Sequence, residues 1–239
     1  MILRALAIFA TIGPAAAQNL PPADVYVIGE IHGNPAHHAT QARLVAHIAP
    51  RALVFEQLSG AQADRISPDA RRNAATLGPL LDWDESGWPD IALYAPIMAA
   101  ADAPILGAAG EAGDLSAYDL DTALPAAEQQ EREALQAAAH CDALPTDLLP
   151  DFVARQRAID AQFAARTLDA LDRYGAPVVL ITGNGHARTD WGVPAAIARV
   201  RPDLRVVAIV QGEGEPTVPG DIVLQADAPP RDDPCAAFR

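Results

Sequence analysis

Lysine is absent from this 239-residue chain; all 17 basic residues are arginine. Without a side-chain amine, Schiff-base and pyridoxal phosphate chemistry are excluded, and so is phosphate capture by a P-loop lysine. Serine is scarce too. Ser59, Ser67, Ser86 and Ser116 are the whole set, and none sits in a Gly-x-Ser-x-Gly turn after a strand, which argues against a serine nucleophile elbow. Basic charge is outnumbered by 31 acidic residues, giving a net charge of −14, so nucleic acid is not an expected partner. What is present is an ordinary globular balance, 50% hydrophobic and 20% charged. A chain of this length buries about 70% of its unfolded surface, so a single domain with a full core is expected.

The first residues read as a leader rather than as part of the fold. Met1 and Arg4 give a positive start, Leu6 to Ile12 is apolar, and Ala15, Ala16 and Ala17 supply the small residues of a cleavage site. That apolar run is too short to cross a bilayer. Residues 1–17 are therefore expected to be a signal peptide and residues 18–239 the domain, exported to the periplasm. No cysteine lies near the cleavage point, so no lipid anchor is expected. Cys141 and Cys235 are the two cysteines; in an oxidising compartment they are expected to form a disulfide, the rival being a thiolate nucleophile or metal ligand. Neither lies in a Cys-x-x-Cys-His run, which excludes covalent c-type haem.

Short apolar runs alternate with helical patterns, the signature of an α/β domain with a mostly parallel sheet flanked by helices. Strands are expected at Val25–Gly29, Ala52–Glu56, Pro104–Gly107, Val178–Thr182 and Arg205–Val210, with a short one near Ile222–Leu224. Asn34 caps a first helix that opens on Pro35 and carries Gln41, Leu44, Val45 and Ile48 on one face. A longer helix is expected from about Asp151 to Tyr174, stopped by Gly175. From Gln57 to Leu93 the pattern suggests short helices and loops over one end of the sheet.

Chemistry-bearing residues gather where the strands end. Gly29-Glu30-Ile31-His32-Gly33 follows the first strand, Glu56 closes the second, and Thr182-Gly183-Asn184-Gly185-His186 follows the fourth. In a parallel sheet the carboxyl ends of the strands line the ligand crevice. Glu30, His32, Glu56 and His186 are thus candidate catalytic residues, either as ligands of a divalent metal or as a general acid–base set. Taken singly, a charged residue at a strand end is more often a cap or a solvated group; the convergence carries the functional reading. On the long helix Gln156 and Asp160 share a face with Phe152, Ile159 and Phe163, placing a carboxylate among buried residues. His37, His38 and Arg188 are further candidates for contact with a bound cofactor, with capping or a salt bridge as the alternative. His47 and His140 read as surface residues.

The run Gly29-Glu30-Ile31-His32-Gly33-Asn34-Pro35-Ala36-His37-His38 resembles the opening motif of the ChaN-like haem-binding family, within the Tiki/erythromycin-esterase-like superfamily. The resemblance continues through Glu56, Trp88-Pro89, Tyr94, Pro96, Gln156 and Asp160. It closes on Gly183-Asn184-Gly185-His186 and Gly192-Val193-Pro194, so it covers roughly residues 24 to 210. It implies an exported α/β protein that binds haem in iron uptake, with homodimers holding haem between subunits. It also implies the alternative of a hydrolase using Glu30, His32, Glu56 and His186, since relatives in the superfamily include hydrolases. Under the first reading haem is the ligand and His37, His38, Gln156, Asp160 and Arg188 flank it. Under the second, a divalent metal or a His32 base activates water.

Overall fold

The computed structural model describes residues 20–110, 113–214 and 217–236. The leader expected at residues 1–17 lies outside the described residues. Among the described residues six strands form one sheet: β1 (Val25–Ile28), β2 (Ala52–Ser59), β3 (Ile105–Ala109), β4 (Val178–Ile181), β5 (Val206–Gly212) and β6 (Ile222–Gln225). Every pairing is parallel and the order is β3-β2-β4-β1-β5-β6. Runs such as Val-Tyr-Val-Ile and Val-Val-Leu-Ile are buried at every position, as expected of parallel strands covered on both faces. The fold is a single α/β domain.

Side-chain alternation along the strands sorts the helices into two layers. Tyr26, Ile28, Leu53, Phe55, Val179 and Ile181 face α1 (Pro35–Ile48), α3 (Ala74–Leu81) and α4 (Ile91–Ala99). Val25, Val27, Val54, Val178 and Leu180 face α6 (Leu149–Tyr174) and α8 (Val193–Val200) on the other side. The remaining helices are α2 (Gly60–Ala63), α5 (Ala126–Ala139) and α7 (Asn184–Ala187). Asn34 caps α1 as expected, its side chain accepting from the Ala36 and His37 amides, and Gly175 ends α6 with its amide on the Leu171 carbonyl. No helix of the described residues is long and apolar enough to cross a membrane.

Three departures from the sequence reading have simple causes. Residues 57–93 do not merely overlie the sheet's end. Leu77, Leu81, Trp83 and Ile91 pack into the same core as Phe55 and Ile28. Helix α5 gives no sequence signal because its one buried residue is Arg132, so no apolar stripe marks it. Strand β2 runs past Glu56 to Ser59 through a register shift against β3. There Gly107 is obligatory, since a Cβ would lie 2.3 Å from the Ser59 backbone. The disulfide is present, Cys141 to Cys235, and fastens the C-terminal tail to the turn between α5 and α6. In the chain-entropy account, closing a loop of 94 residues stabilises the fold by roughly 4–5 kcal/mol.

Candidate functional site

Register brings the site together. Ile28 and Phe55 both pair with Ile181, so the ends of β1 and β4 lie level with Phe55 of β2 and the residues that follow emerge at one edge. Glu30 leaves β1, Glu56 lies one residue beyond Phe55, and Thr182 and Gly183 follow β4. The Glu56 Oε2 atom accepts from the Thr182 hydroxyl and, at 2.8 Å, from the Gly183 amide. Glu30 Oε1 accepts from the Tyr94 hydroxyl at 3.0 Å and from His32 Nδ1 at 2.7 Å. His32 Nε2 stands 3.4 Å from Glu56 Oε1. Gly183 makes this possible, because a Cβ there would sit 2.9 Å from His32 Nε2. The imidazole is bridged between two carboxylates, and its ring meets Trp88 edge-on at 5.0 Å.

A second histidine–carboxylate couple sits beside the first. His186 Nδ1 lies 2.7 Å from Asp160 Oδ1, with the Gln156 amide 3.1 Å from the same nitrogen. Asp160 comes from the middle of α6 and is 2% exposed. Its nearest charged partner is an imidazole on the short α7, and Phe163, one turn along α6, rests on that ring at 4.9 Å. The Nδ1–H donates to Asp160, which fixes the tautomer and leaves Nε2 as the lone-pair nitrogen.

The electrostatics of the two couples differ. Burial pulls the His32 pKa down, but its hydrogen bond to Glu30 and the charges of Glu56 and Glu30 outweigh this and raise it. His186 is likewise raised, burial being overcome by the Asp160 hydrogen bond and the charges of Asp160 and Glu56. Burial pushes Asp160 up to about 6 against the pull of His186. The Tyr94 hydroxyl is raised far out of the working range, first by burial and then by the Glu30 charge. It is therefore a hydrogen-bond donor and not a phenolate.

The other candidates are placed less centrally. His37 is fully buried; its Nδ1 accepts from the Ile31 amide at 3.0 Å and its Nε2 faces the Gly212 carbonyl at 3.4 Å. One nitrogen fastens the β1–α1 turn and the other ties α1 to the end of β5, so none is left for a cofactor. His38 is buried against Tyr94 at 4.6 Å, with Nδ1 3.2 Å from Glu30 Oε2. Burial lowers the pKa of both, keeping them neutral. Arg188 is held bidentately by Asp190 at 2.6 and 2.7 Å and stacks over Trp191 at 3.6 Å; its fork is not directed to a ligand. Two partners of the carboxylates, Tyr94 and Thr182, are not site candidates on the sequence pattern alone. Thr182 has a signal nonetheless, as the one polar residue between an apolar strand and Gly183.

The divalent-metal reading of Glu30, His32, Glu56 and His186 finds no support. No group of three or more His, Cys, Asp or Glu among the described residues is arranged to hold a metal ion. Glu56 Oε2 is taken up by the Thr182 hydroxyl and the Gly183 amide, and Glu30 Oε1 by Tyr94 and His32.

Known proteins share this organisation. Residues 16–112 and 106–197 match the family described as haem-binding uptake, Tiki superfamily, ChaN. The chain belongs to the ChaN family. A solved ChaN of Campylobacter jejuni, described as showing cofacial haem binding, superposes with a TM-score of 0.64. It is 20% identical over 84% of this chain and 86% of its own, a likeness of fold. The type III effector HopBA1 is also similar, with a TM-score of 0.49 and 16% identity over 89% of this chain and 90% of its own. No curated protein matches. The matched residues include Glu30, His32, Glu56, Asp160 and His186, which build the two couples.

Proposed function

We propose that this chain binds haem and serves haem or iron uptake after export to the periplasm. Membership of the ChaN family carries the reading. The chain's own residues fit the ligand at one place. Haem iron takes a neutral imidazole, and iron-bound histidines commonly donate their other N–H to a carboxylate. His186 has that arrangement: Asp160 holds Nδ1, and no residue among those described hydrogen-bonds Nε2. The proposal assigns His186 Nε2 to the iron, with Asp160 and Gln156 as positioning residues and Phe163 as apolar support for the ring. His32 fits poorly, because both of its nitrogens face carboxylate oxygens. The hydrolase alternative on Glu30, His32, Glu56 and His186 is not favoured, because the family matched is a haem-binding one.

The cofacial binding described for the Campylobacter protein extends the proposal to a homodimer holding haem between its copies. Haemin titration of protein starting at Gln18, followed by visible absorbance and sedimentation velocity, tests both parts. A saturable, shifted Soret band with defined stoichiometry and sedimentation as a dimer is expected. Folded protein with no saturable shift would overturn the haem reading, and a loaded monomer would overturn the shared-ligand part.

A further inference from the structure

Past β6 the chain runs along the sheet edge that carries the site. The Asp227 carbonyl accepts from the Asn34 side chain at 3.1 Å, two residues beyond His32. Arg231 then pairs with Glu213, which follows β5 and also accepts from Asn34 at 2.6 Å. Further on, Cys235 is bonded to Cys141. Beside that bond His140 meets the Phe152 ring edge-on at 5.0 Å. Phe152 lies one turn of α6 before Gln156, whose amide is on His186 Nδ1. Residues 227–236 therefore form a strap that starts next to the His32 couple and ends next to the helix turn that positions His186.

Its attachment differs from that of the elements around it. None of residues 227–236 packs into either hydrophobic cluster, so no apolar burial holds the strap down. Pro229, Pro230 and Pro234 stiffen it, and Asp227, Asp232 and Asp233 outweigh Arg231 in charge. The covalent tie falls in a turn where Cys141 and Asp142 have φ of 61° and 56°. That left-handed conformation is costly for residues with a Cβ. Both cysteines are half-buried, within reach of a thiol. A segment fastened by polar contacts and one covalent bond belongs to the least stable part of a fold once that bond is cut.

We propose that residues 227–236 are a redox-released strap over the site: bonded to Cys141 it restricts approach to His186 Nε2, and freed it swings away. Ala226 is the hinge, since its amide remains on the Gly212 carbonyl at 3.0 Å. Release is thiol–disulfide exchange with a dithiol. One thiolate of the dithiol attacks a sulfur of the Cys141–Cys235 bond, and its second thiolate then breaks the mixed disulfide. Two electrons and two protons end on Cys141 and Cys235 as thiols, and the dithiol leaves as a disulfide. By its charge the acidic strap also opposes an anionic ligand. That ligand is haem with its two propionates, a part of the proposal that rests on the haem reading above.

Carbethoxylation of histidines by diethyl pyrocarbonate, read by mass spectrometry, tests the strap without haem. It is applied to the oxidised full chain, to the chain reduced with a dithiol and alkylated, and to the Cys141→Ser, Cys235→Ser double variant. A fourth form, Arg231→Glu, keeps the disulfide and loses the Glu213 contact; all are checked for folding by circular dichroism. His186 is expected to react several-fold faster in the reduced chain and the double variant than in the oxidised chain, and by a smaller factor in Arg231→Glu. Buried His37 is expected to stay unmodified and exposed His47 to react at one rate in all four, which separates strap release from general loosening. Haemin association by stopped flow is expected to speed up in the same order, by roughly tenfold at most. An unchanged His186 rate in every form that folds, or haemin association at one rate in all of them, would overturn the proposal. Faster His186 modification with no haemin uptake by any form would uphold the strap and overturn the haem reading, so the two failures are distinguishable.

Discussion

The two histidine–carboxylate couples at the sheet edge differ in how much of each imidazole is already used. His32 is hydrogen-bonded to Glu30 through Nδ1 and has the Glu56 carboxylate 3.4 Å from Nε2, while 39% of its side chain remains exposed. His186 is held on one nitrogen by Asp160 and is only 16% exposed. Exposure alone would nominate His32 as the ligand-binding residue. The surroundings of Nε2 nominate His186, because in His32 that nitrogen faces the Glu56 carboxylate and iron needs an open lone pair and not merely accessible surface. The supporting carboxylates differ in the same sense. Glu56 holds the Thr182 hydroxyl and the Gly183 amide as well as facing His32, so the first couple ties β2 to β4. Asp160 serves one imidazole from a long helix, as a positioning group does.

The sharpest test of this contrast exchanges the two histidines' fates. His186→Ala is expected to weaken haem binding by more than the roughly 10–100-fold that loss of an outer partner costs, whereas His32→Ala stays within a few-fold of the parent. The reverse order in a haemin titration would assign the ligand to His32. Asp160→Asn removes the charge behind His186 but keeps its shape. It is expected to weaken haem binding by about 10–100-fold and to shift the Soret maximum; an unaltered spectrum would reduce Asp160 to a structural group.

Glu56→Ala probes the other couple through stability. It leaves the Thr182 hydroxyl and the Gly183 amide without their acceptor in a buried setting, a loss of about 1–3 kcal/mol by urea unfolding. Unchanged stability would mean that β2 and β4 do not depend on this contact. The smallest effect is expected from pH. The His32 pKa is raised in the folded chain, so its contribution to stability is full below the ordinary histidine value of roughly 6.5 and fades as pH rises through the raised value. His32→Gln should flatten unfolding stability across that window. An unflattened profile would place the slope on His186, which is raised in the same direction.

Much of the fold is legible in the amino-acid sequence. The strands announce themselves as short β-branched runs, and the caps at Asn34 and Gly175 follow from side-chain and backbone chemistry confined to a few residues. Convergence of Glu30 and His186 on one edge follows from their positions after parallel strands, and the register of β2 against β4 brings Glu56 level with them. Less legible are α5, whose exposed, alanine-rich sequence carries no apolar stripe, and the continuation of β2 to Ser59, which rests on the close approach of Gly107.

Division of labour among the polar residues is decided only by the tertiary structure. Sequence pattern groups Glu30, His32, Glu56 and His186 as one set, and places His37, His38 and Arg188 around a ligand. The folded chain splits the set into two couples, spends both nitrogens of His37 on its own backbone, and turns Arg188 to Asp190. Those outcomes depend on angles and distances between elements far apart in the chain, such as the 126 residues separating Glu56 from Thr182. Local propensity and periodicity determine which elements form and which ends meet. Which lone pair is left over when they meet is a property of the packed whole, because each donor and acceptor is claimed by the nearest satisfied geometry and not by its neighbours in sequence.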